Sequence, residues 1–170
     1  KKDSRIIVCH LGSGASITAV KDGKCVATSM GLTPCGGIMM NSRTGDMDPS
    51  VYYQVLKMSG KTNEEVFQEF NKASGLYGVS TVSNDSRDVD AEARKGNHDS
   101  LLAMKLWGRR VADFIGQYFV RLGGCDLIIF SAGIGENAPE YRELVFERIN
   151  EALGIKIDNK VNEATFGGKE

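Results

Sequence analysis

The sequence predicts an α/β fold, a mixed sheet opened by an antiparallel three-strand meander and flanked by helices. Three observations lead there. Residues 6–29 hold three apolar or β-branched runs separated by tight-turn residues. Residues 99–122 carry one long stretch of helical periodicity, and a short, wholly apolar run, Leu127-Ile128-Ile129-Phe130, follows it directly.

Taken in order, Ile6 to Leu11 reads as a strand buried on both faces and runs into the glycine turn Gly12-Ser13-Gly14. Ala15 to Lys21 is β-branched and half alternating. Asp22-Gly23 is a two-residue hairpin signal, and Lys24 to Ser29 returns as the third strand. Met30 to Pro49 shows no period, and loops of such length inside a compact fold are usually functional. Helices follow near Ser50–Met58 and Asn63–Ala73. The second has Thr62 or Asn63 as its cap and Val66, Phe67 and Phe70 as its apolar face. Gly75 to Ser86 reads as a glycine and serine connection to a polar helix, Arg87 to Lys95.

The Asp99–Leu122 helix is the clearest element. Val111, Phe114, Ile115, Tyr118, Phe119 and Leu122 make one stripe, and Gly123 stands where a left-handed stop belongs. Ala132-Gly133-Ile134-Gly135 reads as a second glycine turn after the 127–130 strand. The Pro139–Leu153 helix buries Val145, Ile149, Ala152 and Leu153 and stops at Gly154. Ile155 to Ile157 reads as the start of one more strand.

Composition excludes several functions. Lys plus Arg (21) against Asp plus Glu (22) gives a net charge of -1, without the basic excess of a nucleic-acid surface. Cys9, Cys25, Cys35 and Cys125 form no CxxC pair, which fits a reducing cytosol better than a zinc site or a disulfide framework. No run reaches the roughly 18 apolar residues of a membrane span. A cytoplasmic protein without nucleic-acid or membrane partners is expected. The abrupt entry into a strand and the ending Phe166-Gly167-Gly168-Lys169-Glu170 suggest a piece of a longer protein.

The chemistry points to the two glycine turns. Each follows the carboxyl end of a buried strand, the edge where open α/β sheets bind ligands, and glycine lets main-chain N–H groups approach phosphate oxygens. The second also opens a helix, which favours an anion. Either turn could equally be an ordinary tight connection. Neither the P-loop nor the dinucleotide fingerprint is present, since Gly12-Ser13-Gly14-Ala15-Ser16-Ile17 leads into a strand. His10 is either a hydrogen-bonded strand histidine or a donor to phosphate. Arg43, inside the long loop, is either a solvated charge or a guanidinium facing a transferring phosphoryl. Asp46 and Asp48 read as turn and cap residues before metal ligands. Asp85-Ser86-Arg87-Asp88 and Glu136-Asn137 each read as a capped helix start or as ligand contacts.

Val8 to Ser16, Thr28-Ser29-Met30-Gly31 through Thr33-Pro34, Gly37, Met39-Met40, Arg43, Gly45-Asp46 and Asp48-Pro49, then Asp85 to Asp88 and Ala132 to Asn137, together resemble the acetate kinase (acetokinase) family in order and along essentially the whole chain. The resemblance implies the two-lobed actin, sugar-kinase and Hsp70 type of ATPase fold (ribonuclease H-like). Residues 1–170 would form one domain, most of the C-terminal nucleotide-binding lobe. It implies reversible, magnesium-dependent transfer between ATP and acetate, giving ADP and acetyl phosphate. By the same resemblance His10, Leu11, Gly12, Ser13 and Gly14 touch the nucleotide phosphates. Asp85, Ser86 and Arg87, with Gly133, Ile134, Gly135, Glu136 and Asn137, line the adenosine site. Arg43, aided by His10, stabilises the transition state, and a magnesium-holding glutamate lies beyond Glu170.

A homodimer through this lobe is implied too. Ser13 stands where the family usually has Asn, a shorter donor to phosphate. With the first lobe absent, this chain by itself is expected not to turn over. Two alternatives remain open: a propionate or butyrate kinase of the same family, and a non-catalytic nucleotide-sensing or dimerisation module.

Overall fold

The computed structural model describes residues 2–167. Strands β1 (Arg5–Leu11), β2 (Ala15–Lys21) and β3 (Lys24–Thr28) come first, then helices α1 (Pro49–Ser59), α2 (Asn63–Lys72), α3 (Gly75–Ser80), α4 (Ser86–Arg94) and α5 (His98–Leu122). After them run β4 (Leu127–Ser131), α6 (Ala132–Asn137), α7 (Pro139–Leu153) and α8 (Asn159–Ala164). The sheet order is β3-β2-β1-β4. β1 is antiparallel to β2 and parallel to β4, so the sheet is mixed, as the sequence predicts.

Local signals fix the ends of these elements. Asp22 and Gly23 both take positive φ (52° and 76°), the hairpin geometry whose twist matches its strands. Thr62 and Glu65 form a reciprocal capping box on α2. Gly123 closes α5 at φ 69°, its N–H bonded to the Phe119 and Val120 carbonyls.

The core lies between the sheet and α5. Ile7, Cys9, Leu11 and Ile17 are fully buried, and α5 lays Val111, Ile115 and Tyr118 into the same cluster. Each of the Ile, Leu and Val side chains among them contributes about 1.5–3 kcal/mol by leaving water. α7 packs on α5 at Gly108, where a Cβ would meet Leu144 Cβ at 2.8 Å. Beside it Trp107 and Tyr141 stack edge to face at 5.1 Å, and the Tyr141 hydroxyl donates to the Ser86 carbonyl at 3.1 Å. The helical core is thereby tied to the first residue of α4.

Three expectations change. β1 is sealed on one face only: Ile6 and Val8, on the face opposite Ile7 and Cys9, are half-buried, and their partners on β4, Leu127 and Ile129, are 52% and 38% exposed. The reason is that α5, and α7 through Phe146 against Phe130, cover the same side. Gly75 to Ser80 is helical instead of open loop. Residues 155–157 pair with no strand among the described residues; Asp158 caps α8 immediately afterwards, its carboxylate accepting from the Lys160 and Val161 amides.

Candidate active site

Because β1 and β4 are parallel neighbours, their carboxyl ends open at one edge of the sheet. The Gly12–Gly14 turn and the start of α6 therefore lie side by side, and a Cβ on Gly12 would be 3.5 Å from that of Ala132. Between them and the 41–42 and 84–87 segments runs a cleft of about 500 Å³. Gly12 and Ser13 line one wall, Gly133, Ile134 and Asn137 another, and Asp85, Ser86 and Arg87 the rim.

The second glycine turn is itself helical. α6 begins at Ala132, whose φ of 65° is rare for a residue with a Cβ. Its N–H donates to Glu136 Oε1 at 2.8 Å, a local bond that closes the turn. Gly135 and Glu136 face a second cavity, between α6 and α8, away from the cleft. Nor is Glu136-Asn137 a cap, since α7 starts at Pro139 without a side-chain bond. Asn137 instead donates to the Gly133 carbonyl and accepts from Gly167.

Leu11 turns its side chain wholly into the core, so only its backbone is left for a ligand. His10 is exposed on the opposite face of β1, with Nδ1 3.1 Å from Ser131 Oγ, and lies outside the cleft lining. Gly14 is also outside the lining but meets Arg43. A Cβ there would come within 3.0 Å of an Arg43 guanidinium nitrogen.

Arg43 owes its place to a clamp. The backbone of residues 40–44 is held by the chain from the end of α2 into α3. Thr44 N–H donates to the Phe70 carbonyl at 3.0 Å, Ser74 to Ser42 at 2.9 Å, and Leu76 to Met40 at 2.9 Å. The guanidinium donates to the Pro34 carbonyl at 3.3 Å and has no acidic partner among the described residues. An arginine held by one carbonyl and by the Met40 thioether, which Nη1 meets at 3.6 Å, keeps its charge available for an anion.

The carboxylates of this loop are used locally. Asp46 accepts from Gly37 N–H at 2.7 Å, and Asp48 caps α1 by accepting from Ser50 N–H. No group of three or more His, Cys, Asp or Glu side chains suited to a metal occurs among the described residues. At the rim Asp85 accepts from the Arg87 guanidinium and from Arg87 N–H. Those bonds, the side-chain one foremost, hold its carboxyl down at about 2.

The family model for the acetokinases matches residues 1–170, the whole chain. The chain belongs to the acetokinase family. It is 48% identical to the acetate kinase of Acholeplasma laidlawii over 100% of its own length and 43% of that protein's. To the acetate kinase of Thermoanaerobacter pseudethanolicus it is 46% identical, covering 99% of this chain and 42% of the relative. Among solved structures, Porphyromonas gingivalis acetate kinase superposes with a TM-score of 0.93 at 40% identity, over 98% of this chain and 41% of that one. A propionate kinase from Francisella tularensis gives 0.91 at 39% identity, over 96% and 42%. The chain thus spans well under half the length of these relatives.

Within this acetokinase chain, sequence reasoning missed Asn41, Ser42 and Asn84 as cleft residues. Asn41 is 6% exposed, an unusual burial for an amide, and its position directly after the apolar Ile38-Met39-Met40 run was the one available sign. Its partner lies 43 residues onward and leaves no local trace.

Proposed function

We propose that this chain is the nucleotide-gripping part of a kinase that moves the γ-phosphoryl of ATP reversibly to acetate. The carboxylate oxygen of acetate attacks phosphorus, the bond to the bridging oxygen breaks, and ADP leaves with the electron pair. Acetyl phosphate is the product. The observation that carries the reading is the Arg43 guanidinium, without an acidic partner among the described residues, against Gly14 beside a cleft walled by both glycine segments. Its charge is suited to the planar phosphoryl of the transition state, where catalysis is mainly positioning and electrostatic.

In this reading main-chain groups of Gly12 to Gly14 meet the phosphates. Asp85 to Arg87 with Gly133, Ile134 and Asn137 take the adenosine, and His10 acts from the neighbouring sheet face. Magnesium does not fit a cage made of the described residues, since Asp46 and Asp48 are spent on amides. It would arrive on the nucleotide phosphates, as that ion commonly does. The dimer contact would use exposed apolar residues such as Tyr53 and Met58, 61% and 83% exposed on α1. No helix among the described residues is long and apolar enough to cross a membrane. We place the protein in the cytoplasm because four scattered cysteines without a CxxC pair suit a reducing compartment.

A polypeptide carrying this chain at its relatives' full length should form acetyl phosphate, trapped as the hydroxamate. Arg43→Ala should lower kcat about 10³-fold or more with the melting midpoint kept. The 170-residue chain alone should form none. Failure of the full-length polypeptide to phosphorylate any short carboxylate would refute the reading. Propionate is the second acceptor to try, favoured by the 0.91 likeness to the propionate kinase.

A further inference from the structure

Asn41 joins three segments that meet around the cleft. Its backbone N–H reaches toward the Ser13 carbonyl at 3.5 Å, its carbonyl accepts from Tyr77 N–H at 2.9 Å, and its side-chain Nδ2 donates to the Asn84 carbonyl at 2.8 Å. Ser13 belongs to the glycine turn after β1, Tyr77 to α3 in the clamp, and Asn84 immediately precedes Asp85. Two residues along stands Arg43. The phosphate turn, the arginine clamp and the rim thus share one residue. The Oδ1 of the same side chain is buried without a donor among the described residues, although the residue lies in the cleft lining. A buried acceptor left in that state destabilises a fold, which keeps it when the geometry serves something else.

We propose that Asn41 is a positioning residue for the nucleotide: through Nδ2 it sets the distance between the phosphate turn and the Asp85 rim. This rests on the kinase reading and deepens it. An aspartate is nearly isosteric but puts an acceptor where the donor was, so its oxygen repels the Asn84 carbonyl and the rim moves out. A serine is too short to reach that carbonyl at all. In neither case is the Arg43 guanidinium or its Pro34 contact altered.

The test uses the full-length polypeptide, with Asn41→Asp and Asn41→Ser beside the wild type. Both variants should raise the KM for ATP about tenfold while the KM for acetate stays within twofold. Calorimetric titration with ADP should show the same loss. A merely structural role would lower the melting midpoint and move both KM values or neither. If ATP and acetate KM shift together, or if either folded variant binds ADP like the wild type, the proposal is overturned. A wild type that binds no ADP overturns the kinase reading beneath it instead. Should Asn41→Asp fail to fold, Asn41→Ser decides by the same readings.

Discussion

At Gly12 an added Cβ would lie 3.4 Å from its nearest neighbour, and at Gly133 it would meet nothing within 4 Å. At Gly75, in the clamp, the same atom would lie 2.1 Å from the Met40 carbonyl oxygen and 2.9 Å from that of Arg43, with φ at 63°. The glycines that stand out in the sequence are thus ones the polypeptide itself could do without. The clamp glycine, part of an unremarkable Gly-Leu-Tyr-Gly run, is one it cannot replace. Room kept beside Gly133 without a protein atom to fill it is room for a ligand, and Gly12 tolerates a Cβ at ordinary contact distance, whereas Gly75 is demanded by packing. Function and fold have drawn on the same residue type for opposite reasons.

The largest effect should therefore come from the less conspicuous glycine. Gly75→Ala combines a left-handed backbone with a contact no relaxation of a side-chain tip can relieve, because both neighbours are main chain. About 3 kcal/mol or more of stability should be lost, read as a fall in the urea midpoint of the full-length polypeptide. A near-neutral result would mean that the clamp yields, and the contrast with Gly133 would fail.

Gly14→Ala comes next and falls between the two classes. Its Cβ would press the end of the Arg43 side chain at 3.0 Å, and that end can swing away. Stability should hardly change. The guanidinium would be displaced by something near 1 Å, enough to lower kcat about 10²-fold. An unchanged kcat in a folded variant would remove Arg43 from the reaction.

Gly133→Ala should affect binding only. In a helical turn alanine is favoured over glycine by about 1 kcal/mol, so the melting midpoint should hold or rise. Affinity for ADP should drop about tenfold, roughly 1.4 kcal/mol, if the vacant side of Gly133 is where the nucleotide lies.

How far the letters alone could carry this contrast depends on the range of the forces involved. α5 was legible because eleven residues of spacing repeat one stripe and Gly123 stops it, and the hairpin because Asp22-Gly23 encodes its own turn. α3 was not. Two glycines and a valine in six residues argue against a helix, and its first turn is fixed by bonds from Leu76 and Tyr77 to Met40 and Asn41, over thirty residues away. α6 reads as a turn because its two glycines likewise argue against a helix, although the bond from Ala132 N–H to Glu136 that closes it spans only four residues. The open face of β1 was hidden because an apolar run does not say how many faces are covered. For the site, the segments around Gly12, Arg43, Asp85 and Gly133 stood out individually. That Gly135 and Glu136 look into another cavity is a matter of helix phase, set only once α6 is known to be a helix.

The smallest effect belongs to the rim, and it tests on which side of the contrast Asp85 falls. Arg87 has an 88% exposed side chain, so its pair with Asp85 is of the lightly held kind, shaped for a ligand more than for the fold. A carboxyl held at about 2 in the folded state, against about 3.9 unfolded, stabilises the fold above pH 3.9. That contribution fades as pH falls toward 2. Asp85 therefore stays ionised, and the rim unchanged, across the whole range in which a kinase works. Arg87→Ala should raise the carboxyl from about 2 toward 3.9, held back by the remaining bond from the residue-87 N–H and visible in a carbon-13 titration of the side chain, while the melting midpoint at pH 7 falls only slightly because the pair is solvent-screened. A large drop in that midpoint would move Asp85 and Arg87 into the clamp's class, as structure the fold depends on, and would leave the cleft with one ligand-facing wall fewer.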